Sequence, residues 1–138
     1  MNTFIRNGAA ALAVAIAVAP TVASCASTTP RAERLAKYEA FAGAPVNKIR
    51  FFTPQGWEEV DDNHILITMR PTEVYLVRVS GPCLDYEHGA YGMLITNTAG
   101  WVQHKFDYVS FGNSQWRCRI EEMRPLDIGA MRAAVPTT

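Results

Sequence analysis

The period of the hydrophobic positions changes along the chain, and each period predicts a different kind of segment. From Gly8 to Ala19 (GAAALAVAIAVA) the chain is uncharged and apolar without interruption, with Arg6 before it and Pro20 after it. From Arg31 to Ala42 (RAERLAKYEAFA), Leu35, Tyr38 and Phe41 or Ala42 recur at helical spacing with charges between them. This predicts an N-terminal helix within residues 31–44, with Pro30 at its start and Gly43 as its C-cap. After Pro45 the pattern becomes short strands separated by turn residues, at 48–53, 57–60, 65–70 and 73–80, then 91–97, 101–105, 106–111 and 115–124. Glu73–Ser80 (EVYLVRVS) is β-branched and apolar on both faces, which predicts a central strand. Asn97-Thr98-Ala99-Gly100 predicts a hairpin turn into the strand at Trp101. In the last strand Trp116, Cys118 and Ile120 fall on one face, and Arg117, Arg119 and Glu121 on the other. Without intervening helices, these strands predict a mainly β domain over 45–128, an antiparallel meander closing into a small barrel or a two-layer sandwich. The 129–138 tail is expected to be partly helical or loose.

The apolar run is too short for a membrane span, which needs about 20 residues, and has the length of a signal-peptide core. The Val22-Ala23-Ser24-Cys25 tetrad behind it resembles a lipobox, whose cysteine is acylated and becomes the new N-terminus. On that reading residues 1–24 are a lipoprotein signal peptide, Cys25 carries lipid, and residues 25–30 are a tether. Ala26 after the cysteine resembles an outer-membrane address, with the domain facing the periplasm. Cleavage by the general signal peptidase after Ala19 or Ser24, giving a soluble periplasmic protein, is the alternative, as is an uncleaved N-terminal helix.

Composition narrows the function classes. The chain has 13 basic and 13 acidic side chains, so it lacks the basic field of a nucleic-acid binder. Removal of residues 1–24 leaves 114 residues, enough for one domain. With Cys25 acylated, Cys83 and Cys118 remain in an oxidising compartment, which predicts a disulfide between them; two buried free thiols are the alternative. A loop of that length contributes roughly 4 kcal/mol in the chain-entropy account. There is no C-x-x-C pair, and His64, His88 and His104 lack regular ligand spacing, so neither a metal site nor a cofactor is expected.

Three segments resemble a domain-of-unknown-function family of small Gram-negative lipoproteins: Val74–Cys83 (VYLVRVSGPC), Ile95–Thr98 with Phe106-Asp107, and Cys118–Leu126 (CRIEEMRPL). The resemblance covers about Val46 to Ile128, and its most specific parts are the G-P-C and C-R-I segments. It implies export, a β-rich domain and the cysteine pair, and it carries no catalytic residue over.

Candidate chemistry is sparse. Asp85, Glu87 and His88 share one loop, and His104 lies near Asp107, the residue types that acid–base or metal catalysis uses. No nucleophile elbow, P-loop or H-E-x-x-H motif accompanies them. Arg78, Arg117 and Arg119, with Arg70, fall on strands and could form an anion-binding patch, unless Glu73, Glu121 and Glu122 pair with them. Trp101, Trp57 and Tyr91 could stack on a glycan, or simply cover the ends of a barrel. The expectation is a membrane-anchored, non-enzymatic accessory or protein-interaction module. Its contact surface would be an edge strand or the Arg31–Ala42 helix. A binding domain for an anionic ligand or glycan is the alternative, ahead of a hydrolase or metal enzyme.

Overall fold

The structure is a computed structural model that describes residues 30–81, 92–112 and 116–135. Helix α1 (Arg31–Glu39) is followed by eight strands: β1 (Lys48–Arg50), β2 (Gly56–Glu59), β3 (His64–Arg70), β4 (Glu73–Val79), β5 (Met93–Ile95), β6 (Trp101–Gln103), β7 (Tyr108–Phe111) and β8 (Cys118–Pro125). Helix α2 (Ile128–Ala133) closes the described chain, so the tail carries a helix of its own, N-capped by the Asp127 carboxylate accepting from Ala130 N–H.

Six strands form one antiparallel sheet in the order β2-β3-β4-β8-β7-β5, and β1 pairs with β6 in a separate ribbon. The sheet is nearly closed into a barrel. Its inner face holds Ile65, Ile67 and Met69 of β3, Val77 and Val79 of β4, Cys118, Ile120 and Met123 of β8, and Val109 and Phe111 of β7. Ile49 and Val102 of the ribbon pack into the same core, so the ribbon lies against the inner side. Trp57 packs inward too, its ring centroid 5.0 Å from that of Phe111.

Strand β4 is central, as its sequence predicts: β3 flanks it on one side and β8 on the other. Its outward Leu76 joins Val60, Leu66 and Leu126 in a second buried cluster, which α1 and α2 cover through Leu35, Tyr38, Ile128 and Met131. The Leu35/Tyr38 stripe therefore packs on the sheet.

Other local expectations give way to long-range pairing. The 97–100 turn forms, with Ala99 and Gly100 both at positive φ and a bridge between Thr98 and Trp101. Yet β5 and β6 do not form a hairpin; β5 pairs with β7 and β6 with β1. The expected strand at 106–111 starts only at Tyr108, and the expected one at 48–53 stops at Arg50.

Gly43 is not a C-cap, since α1 ends at Glu39 with Ala40 in that role. Instead Gly43 N–H donates to Pro125 O at 2.8 Å, and a Cβ there would lie 3.3 Å from Pro125 Cγ. Trp116 does not share the buried face of Cys118 and Ile120: it precedes β8 and is 77% exposed. In β8 the register skips Glu121, because Val79 faces Ile120 while Arg78 faces Glu122. That extra residue lets both Ile120 and Met123 point inward despite their odd spacing.

Candidate functional site

The charged side chains on the sheet are mostly satisfied by one another. Arg78 Nη2 lies 3.8 Å from Glu122 Oε2 across the β4–β8 ladder, and Arg70 Nε lies 3.8 Å from Glu73 Oε2. Arg119 Nε donates to Glu121 Oε1 at 2.8 Å. The arginines therefore follow the paired reading, although the Arg119 partner sits two residues along the same strand rather than on a neighbour. Arg117 is exposed beside them, and no ion pair engages it among the described residues.

One cleft gathers basic side chains from separate elements. Arg78 of β4, and His104 and Lys105 after β6, line a cavity of about 410 Å³ with Val46, Glu121 and Glu122. His104 is positioned by two bonds to one acceptor: its N–H and its Nδ1 both lie 3.1 Å from Asn47 O. Lys105 holds φ at +64, a conformation that a residue with a Cβ adopts at some cost.

Trp101 is a cation platform rather than a bare stacking surface. Lys48 Nζ lies 4.8 Å from its ring centroid and the Arg50 guanidinium 5.3 Å. Sequence reasoning did not couple these residues. The signal was present in Lys48-Ile49-Arg50, where both cations share one face of β1 opposite Trp101. Trp57 is partly buried and packs on Phe111.

His104 and Asp107 do not form a dyad. Asp107 is buried, and it accepts from Thr96 Oγ1 and from Gln103 N–H, each at 2.7 Å. Thr96 Oγ1 in turn accepts from Tyr108 N–H at 2.9 Å, so the carboxylate ties β5, β6 and β7 together. A carboxylate–imidazole pair occurs elsewhere, at Asp61 and His64, with Nδ1 2.8 Å from Asp61 Oδ1. The same oxygen accepts from the N–H groups of Asn63 and His64, which fixes the β2–β3 turn. Burial pushes the Asp61 carboxyl up, but these bonds and the His64 ring outweigh it and hold the group below its ordinary value. An aspartate three residues before a histidine, across a turn, is the pattern that could have revealed this.

Cys118 is fully buried and its side chain is engaged. Cys25, Cys83, Asp85, Glu87, His88 and Tyr91 lie outside the described residues. Among the described residues no three His, Cys, Asp or Glu side chains gather as a metal site, and no helix is long and apolar enough to cross a membrane.

No curated protein and no solved structure matches the chain. A family model does match, over residues 8–138, a span that includes the apolar run at 8–19, Cys25 and the whole β domain. The chain belongs to that family, a family of unknown function (DUF6491).

Proposed function

We propose that the protein is a lipoprotein of the cell envelope, acylated at Cys25 and held at the outer membrane. Its β domain faces the periplasm as a non-enzymatic accessory module for an envelope partner. The observation that carries the reading is how the reactive-type side chains are used. Asp107, Asp61 with His64, and Arg119 with Glu121 are each bound into local structure. The family match supports the leader as part of the protein, since it begins at residue 8, where the apolar run starts.

A Cys83–Cys118 disulfide belongs to the same reading. Ser80 N–H donates to Arg119 O at 2.9 Å and Arg119 N–H to Ser80 Oγ at 3.0 Å, so β4 ends beside Cys118. Cys83 lies three residues further, within about 10 Å of chain reach.

Intact mass of protein extracted from membranes tests the proposal. The expected species starts at Cys25, carries acyl mass and is two hydrogens lighter than its reduced form. A Cys25→Ser variant should leave the membrane fraction. Cleavage elsewhere without lipid would overturn the tether in favour of a soluble periplasmic protein. Photo-crosslinking in cells should return a discrete envelope protein, and a metal or metabolite retained in a native spectrum would overturn the non-enzymatic part.

The Arg78–His104–Lys105 cleft favours a second reading, a small anionic ligand held by the Arg78 and Lys105 charges with the His104 ring beside them. Glu121 and Glu122 in the same lining, the latter 3.8 Å from Arg78, oppose it. Inorganic phosphate titrated against the wild type and Lys105→Ala discriminates: saturable binding lost in the variant supports a ligand site, and no binding removes it.

A further inference from the structure

We propose that the face built from the start of β8 with β7 and β5, carrying Trp116, Arg117, Arg119 and Leu94, rests on the headgroup region of an anionic membrane. This inference rests on the tether at Cys25 proposed above.

The first support is where the chain enters the domain. Helix α1 starts after Pro30, and Arg31 pairs with Asp62 and Glu59 at the β2–β3 turn. From that turn Asn63 O accepts from Val79 N–H, and Ser80 is bonded to Arg119 on the next strand. The entry point and the start of β8 therefore lie at one end of the sheet. The other end of α1 lies at the opposite end, where Ala42 bridges Leu126. Cys25 precedes Pro30 by five residues, which span at most about 18 Å when extended. An acylated Cys25 thus keeps this end of the sheet close to the bilayer.

The second support is what that end exposes. Trp116 is 77% and Leu94 70% exposed, and neither belongs to the cluster that the helices cover. Leu94 faces Ser110 on β7, whereas its neighbours Met93 and Ile95 pack on the core. Arg117, just before β8, and Arg119 within it are exposed. An indole beside an exposed arginine, with an aliphatic side chain nearby, is the combination that settles at a lipid–water boundary: the ring partitions to headgroup depth and the Arg117 guanidinium meets phosphate, while Arg119 stays with Glu121. Among the described residues, the acidic groups named at this end are paired, Asp62 and Glu59 with Arg31 and Glu121 with Arg119.

The test uses full-length protein extracted from membranes and reconstituted into phosphatidylethanolamine vesicles, with and without phosphatidylglycerol. Lipids brominated near the headgroup should quench tryptophan emission of the wild type. Trp116→Phe should lose most of that quenching, because Trp57 is packed inside and Trp101 lies under Lys48 and Arg50. Arg117→Glu should remove the part that depends on phosphatidylglycerol, and it carries the test alone should Trp116→Phe fail to fold. Acylated, vesicle-bound protein with equal quenching in wild type and Trp116→Phe would overturn the membrane face and leave the tether standing. So would Trp116 shielded from aqueous quencher only when an envelope protein is added. Absence of acyl mass would overturn both.

Discussion

Over β3 and β4 the outer face of the sheet is a second core, whereas over β5, β7 and the start of β8 the same face meets solvent. In the first region Leu66 and Leu76 are sealed by two helices. In the second Leu94 and Trp116 stand exposed, and Asp107 provides the order by joining three strands through Thr96, Gln103 and Tyr108. Both halves share the inner apolar core; the first adds a second layer of area removed from water, and the second adds a buried carboxylate tied to three neighbouring segments. The difference teaches that covering by helices is local: α1 and α2 are too short to shield the whole sheet, and the uncovered strands supplement the inner core with polar ties.

Substitutions on the two faces should break this comparison if it is wrong. Leu76→Ala, in the covered half, should cost about 3 kcal/mol in chemical denaturation, through lost burial and the cavity left behind. Its counterpart Leu94→Ala should stay within about 0.5 kcal/mol. Equal costs would show that the second half is also covered. Asp107→Ala should cost about 2 kcal/mol, because it strands the Gln103 N–H and the Thr96 hydroxyl. Hydrogen exchange should then rise at β5–β7 and leave β3–β4 unchanged.

A smaller effect belongs to the turn beside the covered half. Asp61 has its carboxyl pKa depressed by the fold, so its contribution is complete above the ordinary unfolded value of about 3.9 and is lost as pH falls through the lower folded value. Melting temperature followed from pH 6 downward (roughly the carboxylate range) should drop less steeply in Asp61→Asn than in the wild type.

How far the fold could be read from the chain depended on whether its causes were local. Val74 to Val79 announced a central strand because both faces of one segment were apolar. The Leu35/Tyr38 spacing announced a helix, and the sheet took up that stripe. The positive-φ turn at Ala99-Gly100 was legible, but its flanking strands went to β7 and β1, choices made by pairing surfaces far away in sequence. Gly43 looked like a helix stop because proximity to Pro125 leaves no mark in the chain between them. Among the candidate site residues, the pairing of Arg78 with Glu122 followed from strand adjacency. The inward turn of Asp107 away from His104 did not, since it needed Thr96 from another strand.

The course of α1 across the sheet has a mechanical consequence. A pull on the residues before Pro30 enters the domain at the Arg31 clamp, runs the length of the helix, and reaches the β8 end through the bonds of Ala42, Gly43 and Val46 to Met123, Arg124, Pro125 and Leu126. The helix has no fully buried residue, while the strands beneath it hold the core. Under load α1 is the element that peels first, a shock absorber in series with a barrel that keeps its shape.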